Sequence, residues 1–460
     1  MKKLASALIV LILLISVVAV FAQTDTVSGI QGIARSDSGL YVAVGYDGFI
    51  ITSDDGVTWN KRTATVKEKL NGIVWAMGKF VAVGDKGTIL TSKDGTDWTK
   101  AEIESKVDIY GAASSGNEII VSGYDGTVLV STDGEKWVQR RMATAEGIYR
   151  VRWVNDRYIA VGGGMLILTS EDGITWDTIK SQPSSTTMFT DVAWNGEKYV
   201  VVGDHLSIWF SDDGINFTQD EKVEPILIQE GMDISECIYS VIWTGNEFFI
   251  AGHGGNILSS PDGHSWSSVT KVTRRVLMDT IYSQDKFVVV GDEGTILNSE
   301  DGVNWTKLVN ISAETDKMSL RAGESKPLKI TMTYPFGDVI DATGTALYEV
   351  IGGDDILTVE NDGTMKAVSE GQALVRVTYD FKSLEILVDI EPADNALEDK
   401  EPQVTGKVDS NKENNSINLS YIFLVAGVII AVLALVSVVL FNTGNRAKNK
   451  KSKNRENKKK

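Results

Sequence analysis

Residues 71–100 read NGIVWAMGKFVAVGDKGTILTSKDGTDWTK. Short β-branched and aromatic runs alternate there with Gly, Asp and Lys turn signals. That pattern predicts four antiparallel strands, over Gly72 to Ala76, Lys79 to Val83, Thr88 to Ser92 and Asp97 to Lys100. The end of the unit, SKDGTDW, recurs as SDDGVTW, STDGEKW, SEDGITW, SDDGINF, SPDGHSW and SEDGVNW. The glycines of these seven copies are Gly56, Gly95, Gly134, Gly173, Gly214, Gly263 and Gly302, spaced 39, 39, 39, 41, 49 and 39 residues apart. A second glycine stands eleven residues before each, from Gly45 to Gly291. A period near 40 with four strands per unit predicts an all-β chain folded as a seven-bladed β-propeller over residues 23–312. A solenoid is the other architecture such a period permits, and it would want polar caps at its ends. The 43 Gly against 7 Pro suit many tight turns. The repeats from about Thr26 to Lys307 begin and end on whole units, so the sequence does not reveal how the ring closes.

The motif Ser-x-Asp-Gly-x-x-Trp has a local physical reading. Ser and Asp side chains accept hydrogen bonds from turn N–H groups, Gly takes a left-handed conformation, and Trp packs a large apolar ring between blades. Asp55, Asp94, Asp133, Asp172, Asp213, Asp262 and Asp301 are therefore expected to be structural. The motif resembles the Asp-box or BNR repeats of sialidases, and those of the propeller-shaped photosystem II assembly factors and their bacterial relatives. The resemblance covers about Gly29 to Lys307, with Phe217 in place of Trp in the fifth copy. It implies that the motif bridges the third and fourth strands of a blade. The turns between the second and third strands then lie on the opposite face.

Those turns hold the candidate partner-binding residues Asp47, Asp85, Asp125, Asp204, His205, His253, Asp292 and Glu293. Asp and Gly simply make good tight turns, which is one account of them. The other is a polar site for a protein or polysaccharide, shared with the long connections Thr218 to Ile238 and Ser267 to Asp279, since variable loops on a rigid scaffold commonly carry binding. The aromatics Trp75, Trp153, Trp194, Trp243 and Tyr282 share one repeat position at the end of the first strand, where packing between blades is expected and stacking on sugars is the alternative.

After the last repeat the pattern changes to alternating strands broken by Gly and Asp turns, which suggests a small β-sandwich over residues 313–391. This stretch resembles the bacterial immunoglobulin-like group 2 family at Leu320 to Gly323, Asp341 to Thr343, Ile356 to Val359, Gly363 to Ala367 and Gly371 to Tyr379. The resemblance implies a spacer or adhesion module without catalytic residues.

The two ends of the chain are read as membrane-directed. Residues 1–22, MKKLASALIVLILLISVVAVFA, have the Lys pair, apolar run and small-residue site of a secretory signal peptide. The 21 uncharged residues from Tyr421 to Phe441 reach about 30 Å as a helix, so residues 420–442 are expected to span a membrane once. Residues 443–460 carry nine Lys or Arg and one Glu, which predicts a cytoplasmic tail and an extracellular N-terminal portion, on a bacterial cell surface. Residues 392–419 read as a solvated polar linker. Gly427 and Ala431 offer a weak homodimer contact within the span.

Chemistry finds little support. The net charge of −17 averages the basic tail with a more strongly acidic remainder, and that acidity argues against nucleic acid as a partner. Cys237 is the single cysteine, so no intramolecular disulfide forms. The histidines His205, His253 and His264 make no short ligand motif, and neither metal nor cofactor is expected. The Arg-Ile-Pro motif of sialidases does not occur, and no phosphate-cradling loop or nucleophile elbow is present. The expectation is a non-enzymatic surface protein binding a protein or polysaccharide, including service as an assembly factor for a membrane complex. A glycoside hydrolase with an unrecognised site is the alternative.

Overall fold

The computed structural model describes residues 27–393 apart from 143, 181, 183, 184 and 270. The expected signal peptide, membrane span and tail lie outside these residues, as does nearly all of the linker. Among the described residues no helix is long and apolar enough to cross a membrane.

Between Ile30 and Lys307 lie seven consecutive four-stranded sheets, each built from four strands in chain order. The second sheet shows why the repeat folds this way. Its strands are Leu70–Ala76, Lys79–Gly84, Thr88–Ser92 and Thr99–Lys100. The last begins two residues later than expected, because the Asp97 N–H is held by the Asp94 carboxylate inside the preceding turn. Phe80, Val81, Ala82 and Val83 are all fully buried. Phe80 and Ala82 join a cluster with Val42, Val44 and Ile50 of the first sheet, whereas Val81 and Val83 join Ile109, Ile119 and Val121 of the third. A strand covered on both faces needs a continuous apolar run, and each such side chain contributes about 2 kcal/mol by burial. The fourth strand, on the rim, is exposed.

The first strands converge. A Cβ on Gly72 would lie 2.6 Å from the Tyr110 carbonyl oxygen of the next sheet, and one on Gly32 would lie 3.1 Å from the Gly72 Cα. In the fourth, fifth and seventh sheets the same register position carries Arg150, Asp191 and Asp279 instead. Arg152 donates through Nε and Nη2 to the two carboxylate oxygens of Asp191, at 2.9 Å each. Arg150 lies 3.4 Å from Asp279 and 3.6 Å from Asp191. Asp191 also accepts from the Val241 N–H, and Asp279 from the Ile33 N–H. One charge-balanced network therefore ties the fourth, fifth, sixth, seventh and first sheets together. Burial alone would raise the Asp191 carboxyl, but Arg152 and Arg150 hold it below the ordinary carboxylate range.

The ring closes without exchanging a strand. Lys286 of the seventh sheet donates to the Asp55 carbonyl of the first at 2.9 Å, as Lys79 of the second donates to the Asp133 carbonyl of the third at 2.6 Å. Arg35 adds bonds to Ser283 and Gln284. The closing seam thus uses the same contact as an internal one, and the C-terminal β-region then covers it.

That region, from Asn310–Ala313 to Lys382–Glu391, forms three small sheets around Met318, Leu320, Ile330, Val375, Val377, Ile386 and Val388. Phe336 meets Phe49 edge-on at 5.2 Å, Trp59 donates its backbone N–H to the Pro335 carbonyl, and Lys61 pairs with Asp338 at 2.8 Å. On the seventh sheet, Lys307 pairs with Asp380, which also accepts from the Thr273 hydroxyl at 2.6 Å and the Arg274 N–H at 2.7 Å.

The aromatics at the ends of the first strands pack against clusters shared by neighbouring sheets, as expected, and each also meets a second-strand ring across its own ladder. Trp75 sits 4.6 Å from Phe80, Trp194 4.2 Å from Tyr199, and Tyr282 4.5 Å from Phe287, because each pair is in direct cross-strand register. The connection after Thr218 is not only loop: it carries the helix Val223–Gln229, whose Val223 and Leu227 are buried against the fifth and sixth sheets.

Candidate functional site

The Ser-x-Asp-Gly turns consume their own polar groups. Ser53 Oγ accepts from the Gly56 N–H at 2.8 Å and donates to Asp55, whose Oδ1 accepts from Val57 and Thr58 at 2.8 and 2.7 Å. The same pair of backbone donors serves Asp94, Asp133, Asp172, Asp213, Asp262 and Asp301. Burial would raise Asp55, but these donors hold it at about 2. The tryptophan indole closes the turn by donating to the glycine carbonyl, at 3.2 Å for Trp59 and 3.0 Å for Trp98. In each copy the turn's own backbone engages Oδ1 of the carboxylate.

The opposite face is different. Its turns need two successive left-handed residues, such as Asp47 (φ 55°) with Gly48 (69°), and Lys86 (54°) with Gly87 (70°). Asp47, Asp125, His205 and Glu293 occupy the first of these strained positions, and Asp85, Asp204, His253 and Asp292 come immediately before it. This splits the eight candidates into two sets. Asp47 and His205 point to solvent, and Asp125 is half-buried. Glu293 is drawn away to Arg275 at 2.5 Å, beside Tyr379 of the C-terminal β-region.

The second set faces inward. Asp85 accepts from Asn71 at 2.8 Å, Asp204 from the Met188 N–H at 2.7 Å, and His253 Nδ1 from the Cys237 N–H at 2.8 Å. Half-buried tyrosines from the second position of the first strands lie among them. Tyr110 and Tyr149 are 5.4 Å apart, and Tyr239 is 5.2 Å from His253. Burial, with Asp108 close by, pushes the Tyr110 phenol up to about 12; burial and Glu146 raise Tyr149. Burial raises Tyr239 too, with Cys237, Asp292 and Asp204 adding to it. The exposed rings of Tyr46 and Tyr124 stand at the rim, Tyr46 with Lys69 4.4 Å over its face. The result is a mouth of phenols and carboxylates around the axis of the ring.

Sequence reading located the turns but missed these tyrosines. Tyr110, Tyr149 and Tyr239 share a register with Gln31, Asn71, Thr190 and Met278, so no single residue type marks the position. The connection 267–279 is also less open than expected, since Thr273, Arg274 and Arg275 are engaged by Asp380 and Tyr379. Among the described residues no group of His, Cys, Asp or Glu is arranged to hold a metal ion.

Comparison with known proteins bears on the fold. The family described as the DUF6242 beta propeller domain matches residues 46–148. No curated protein matches the chain. The solved structure of YCF48 bound to a D1 peptide is similar over 59% of this chain and 92% of that one, at 19% identity and a TM-score of 0.50. The WD40 domain of Neurospora crassa Pan2 aligns over 61% and 91% of the two chains, at 12% identity and a TM-score of 0.47. The WD40 propeller of Doa1 aligns over 60% and 94%, at 12% identity and 0.48. With the repeated four-stranded sheets, the family match and the likeness to YCF48 make this an all-β chain carrying a β-propeller.

Proposed function

We infer that the chain is a non-enzymatic cell-surface binding protein that presents the turn face of a seven-bladed propeller to a protein partner. The propeller is carried on an immunoglobulin-like spacer above a single membrane span, with the basic tail inside. The observation that supports this reading is the mouth itself, where Tyr110, Tyr149 and Tyr239 stand among Asp85, Asp204 and Asp292. Tyrosine brings a large, rigid contact area with a polar tip, at small entropic cost, and loops set on a rigid scaffold hold it in place. On the opposite face the carboxylates are engaged by the backbone of their own turns. YCF48, which is similar in fold, has been solved with a peptide bound. Service as an assembly factor for a membrane complex is one form the activity takes in this reading.

The test is capture of partners from the native membrane by the full-length chain in detergent, with Tyr124→Ala/Tyr149→Ala as the comparison. The wild-type chain is expected to retain a protein that the double variant loses while folding normally. Equal retention by both would place binding elsewhere.

A further inference from the structure

The tyrosines of the mouth are not spread evenly around the ring. Three gather where the third sheet meets the fourth. Tyr110 and Tyr149 lie 5.4 Å apart with their planes inclined at 51°, and Tyr124, 56% exposed, stands close enough to act electrostatically on both. Tyr110 and Tyr149 are half-buried, yet among the described residues no hydrogen bond engages either hydroxyl. Their phenol tips are therefore left to whatever fills the mouth.

The charges beside these rings are negative. After burial itself, Asp108 and Asp85 act on Tyr110, and Glu146 and Asp204 on Tyr149. Three of the four carboxylates already hold a donor: Asp85 takes the Asn71 amide, Asp108 the Lys86 N–H at 2.9 Å, and Asp204 the Met188 N–H. Glu146 differs. It is half-buried, and among the described residues none donates to its carboxylate.

The wall is also open at this place. In the other six sheets the residue before the left-handed pair of the turn has a side chain, as Tyr46, Asp85, Tyr124, Asp204, His253 or Asp292, whereas the fourth sheet has Gly163. Gly163 lacks the left-handed φ that would demand glycine, so the turn alone does not account for it. A Cβ there would lie 2.9 Å from Glu146 Oε2 and 3.6 Å from the Tyr149 hydroxyl. The missing side chain thus leaves a recess beside the carboxylate that holds no donor and the phenol next to it.

Electron-rich ring faces beside such a carboxylate complement a cation carried on an apolar stem. In a protein that cation is lysine or arginine. We propose that Tyr110, Tyr124 and Tyr149 form an aromatic wall that receives one Lys or Arg side chain of the protein partner, its charge pairing with Glu146 in the recess at Gly163. This rests on the protein-partner reading above and names the residue type that the mouth selects.

The test uses the full-length chain in detergent and fluorescent ten-residue peptides that differ only at one central position, which is Lys, Arg, the uncharged lysine isostere norleucine, or Glu. Lys and Arg peptides are expected to bind at least about tenfold more tightly than the other two, and the advantage should shrink as salt rises. Glu146→Gln is expected to remove most of the advantage over norleucine. Gly163→Leu, which fills the recess, should weaken the Lys and Arg peptides by about fivefold or more. Thermal unfolding of both variants checks that they fold. Equal binding of Lys and norleucine peptides, an advantage undiminished by Glu146→Gln, or no binding of any peptide at millimolar concentration each overturns the proposal. Those outcomes leave the broader reading standing if partner capture still depends on Tyr124 and Tyr149. Loss of that dependence as well removes both.

Discussion

Asp380, at the tip of a hairpin in the C-terminal β-region, forms an ion pair with Lys307, the last residue of the seventh four-stranded sheet, and both side chains are almost wholly buried. Asp380 and Phe381 adopt left-handed conformations at φ 40° and 68°, which turn the hairpin tightly and present the carboxylate. The tip also takes the Thr273 hydroxyl and the Arg274 N–H, so one carboxylate holds the connection into the seventh sheet and that sheet's rim together.

Lys307→Met is expected to cost about 3–5 kcal/mol, because it leaves the Asp380 charge buried and unpaired. Lys307→Met combined with Asp380→Leu should recover most of that loss. Thermal unfolding of the two variants checks the difference. A double variant no more stable than the single one would mean that the pair is not the source of the cost.

The same pair sets a pH dependence. Burial would raise the Asp380 carboxyl, but Lys307, Thr273 and Arg274 hold it below its ordinary value. A depressed folded-state value stabilises the fold above the unfolded value of about 3.9, and the contribution is lost as pH falls through the folded one. The stability gap between the native chain and Asp380→Asn should therefore be full at neutral pH and shrink below about pH 4. Urea unfolding at several pH values measures it, and a gap that widens in acid would contradict the assignment.

At the centre of the ring, Asp191→Asn leaves Arg150 and Arg152 with Asp279 as their near counter-charge. A loss of about 3 kcal/mol is expected, partly restored by adding Arg152→Met. Chemical denaturation of the three chains separates loss of the charge balance from loss of packing, since the second substitution removes packing and yet is expected to help.

Gly72→Ala should destabilise more than Gly78→Ala, although Gly78 has the positive φ of 74°. A methyl at Gly72 meets a backbone carbonyl that cannot move without parting the second and third sheets, at a cost of about 1–3 kcal/mol, whereas nothing lies within 4 Å of one at Gly78. Equal effects on the melting temperature would count against close approach of the first strands.

Much of this architecture was legible because it repeats. The two glycines of each unit mark backbone positions that only a residue without a side chain can fill: a Cβ on Gly84 would stand 2.1 Å from the Lys69 carbonyl, and Gly95 has φ 72° and packs on Val42. The continuous apolar run at Phe80 to Val83 announced a strand covered on both faces. The mouth was harder to see, because one register position is Gln31, Asn71, Tyr110, Tyr149, Thr190, Tyr239 or Met278 in turn, and only alignment of the bulged first strands brings them together. Lys307 and Asp380 lie 73 residues apart with no motif joining them, so their pairing belongs to tertiary packing alone.

The network of Arg150, Arg152, Asp191 and Asp279 sets the electrostatic character of the ring's centre. Guanidinium side chains reach across to carboxylates on other sheets, with Asp191 wholly enclosed, where the first strands meet. Two charges of each sign offset one another there, so this cluster by itself presents no net charge to draw a small ion inward from the tyrosine-lined mouth.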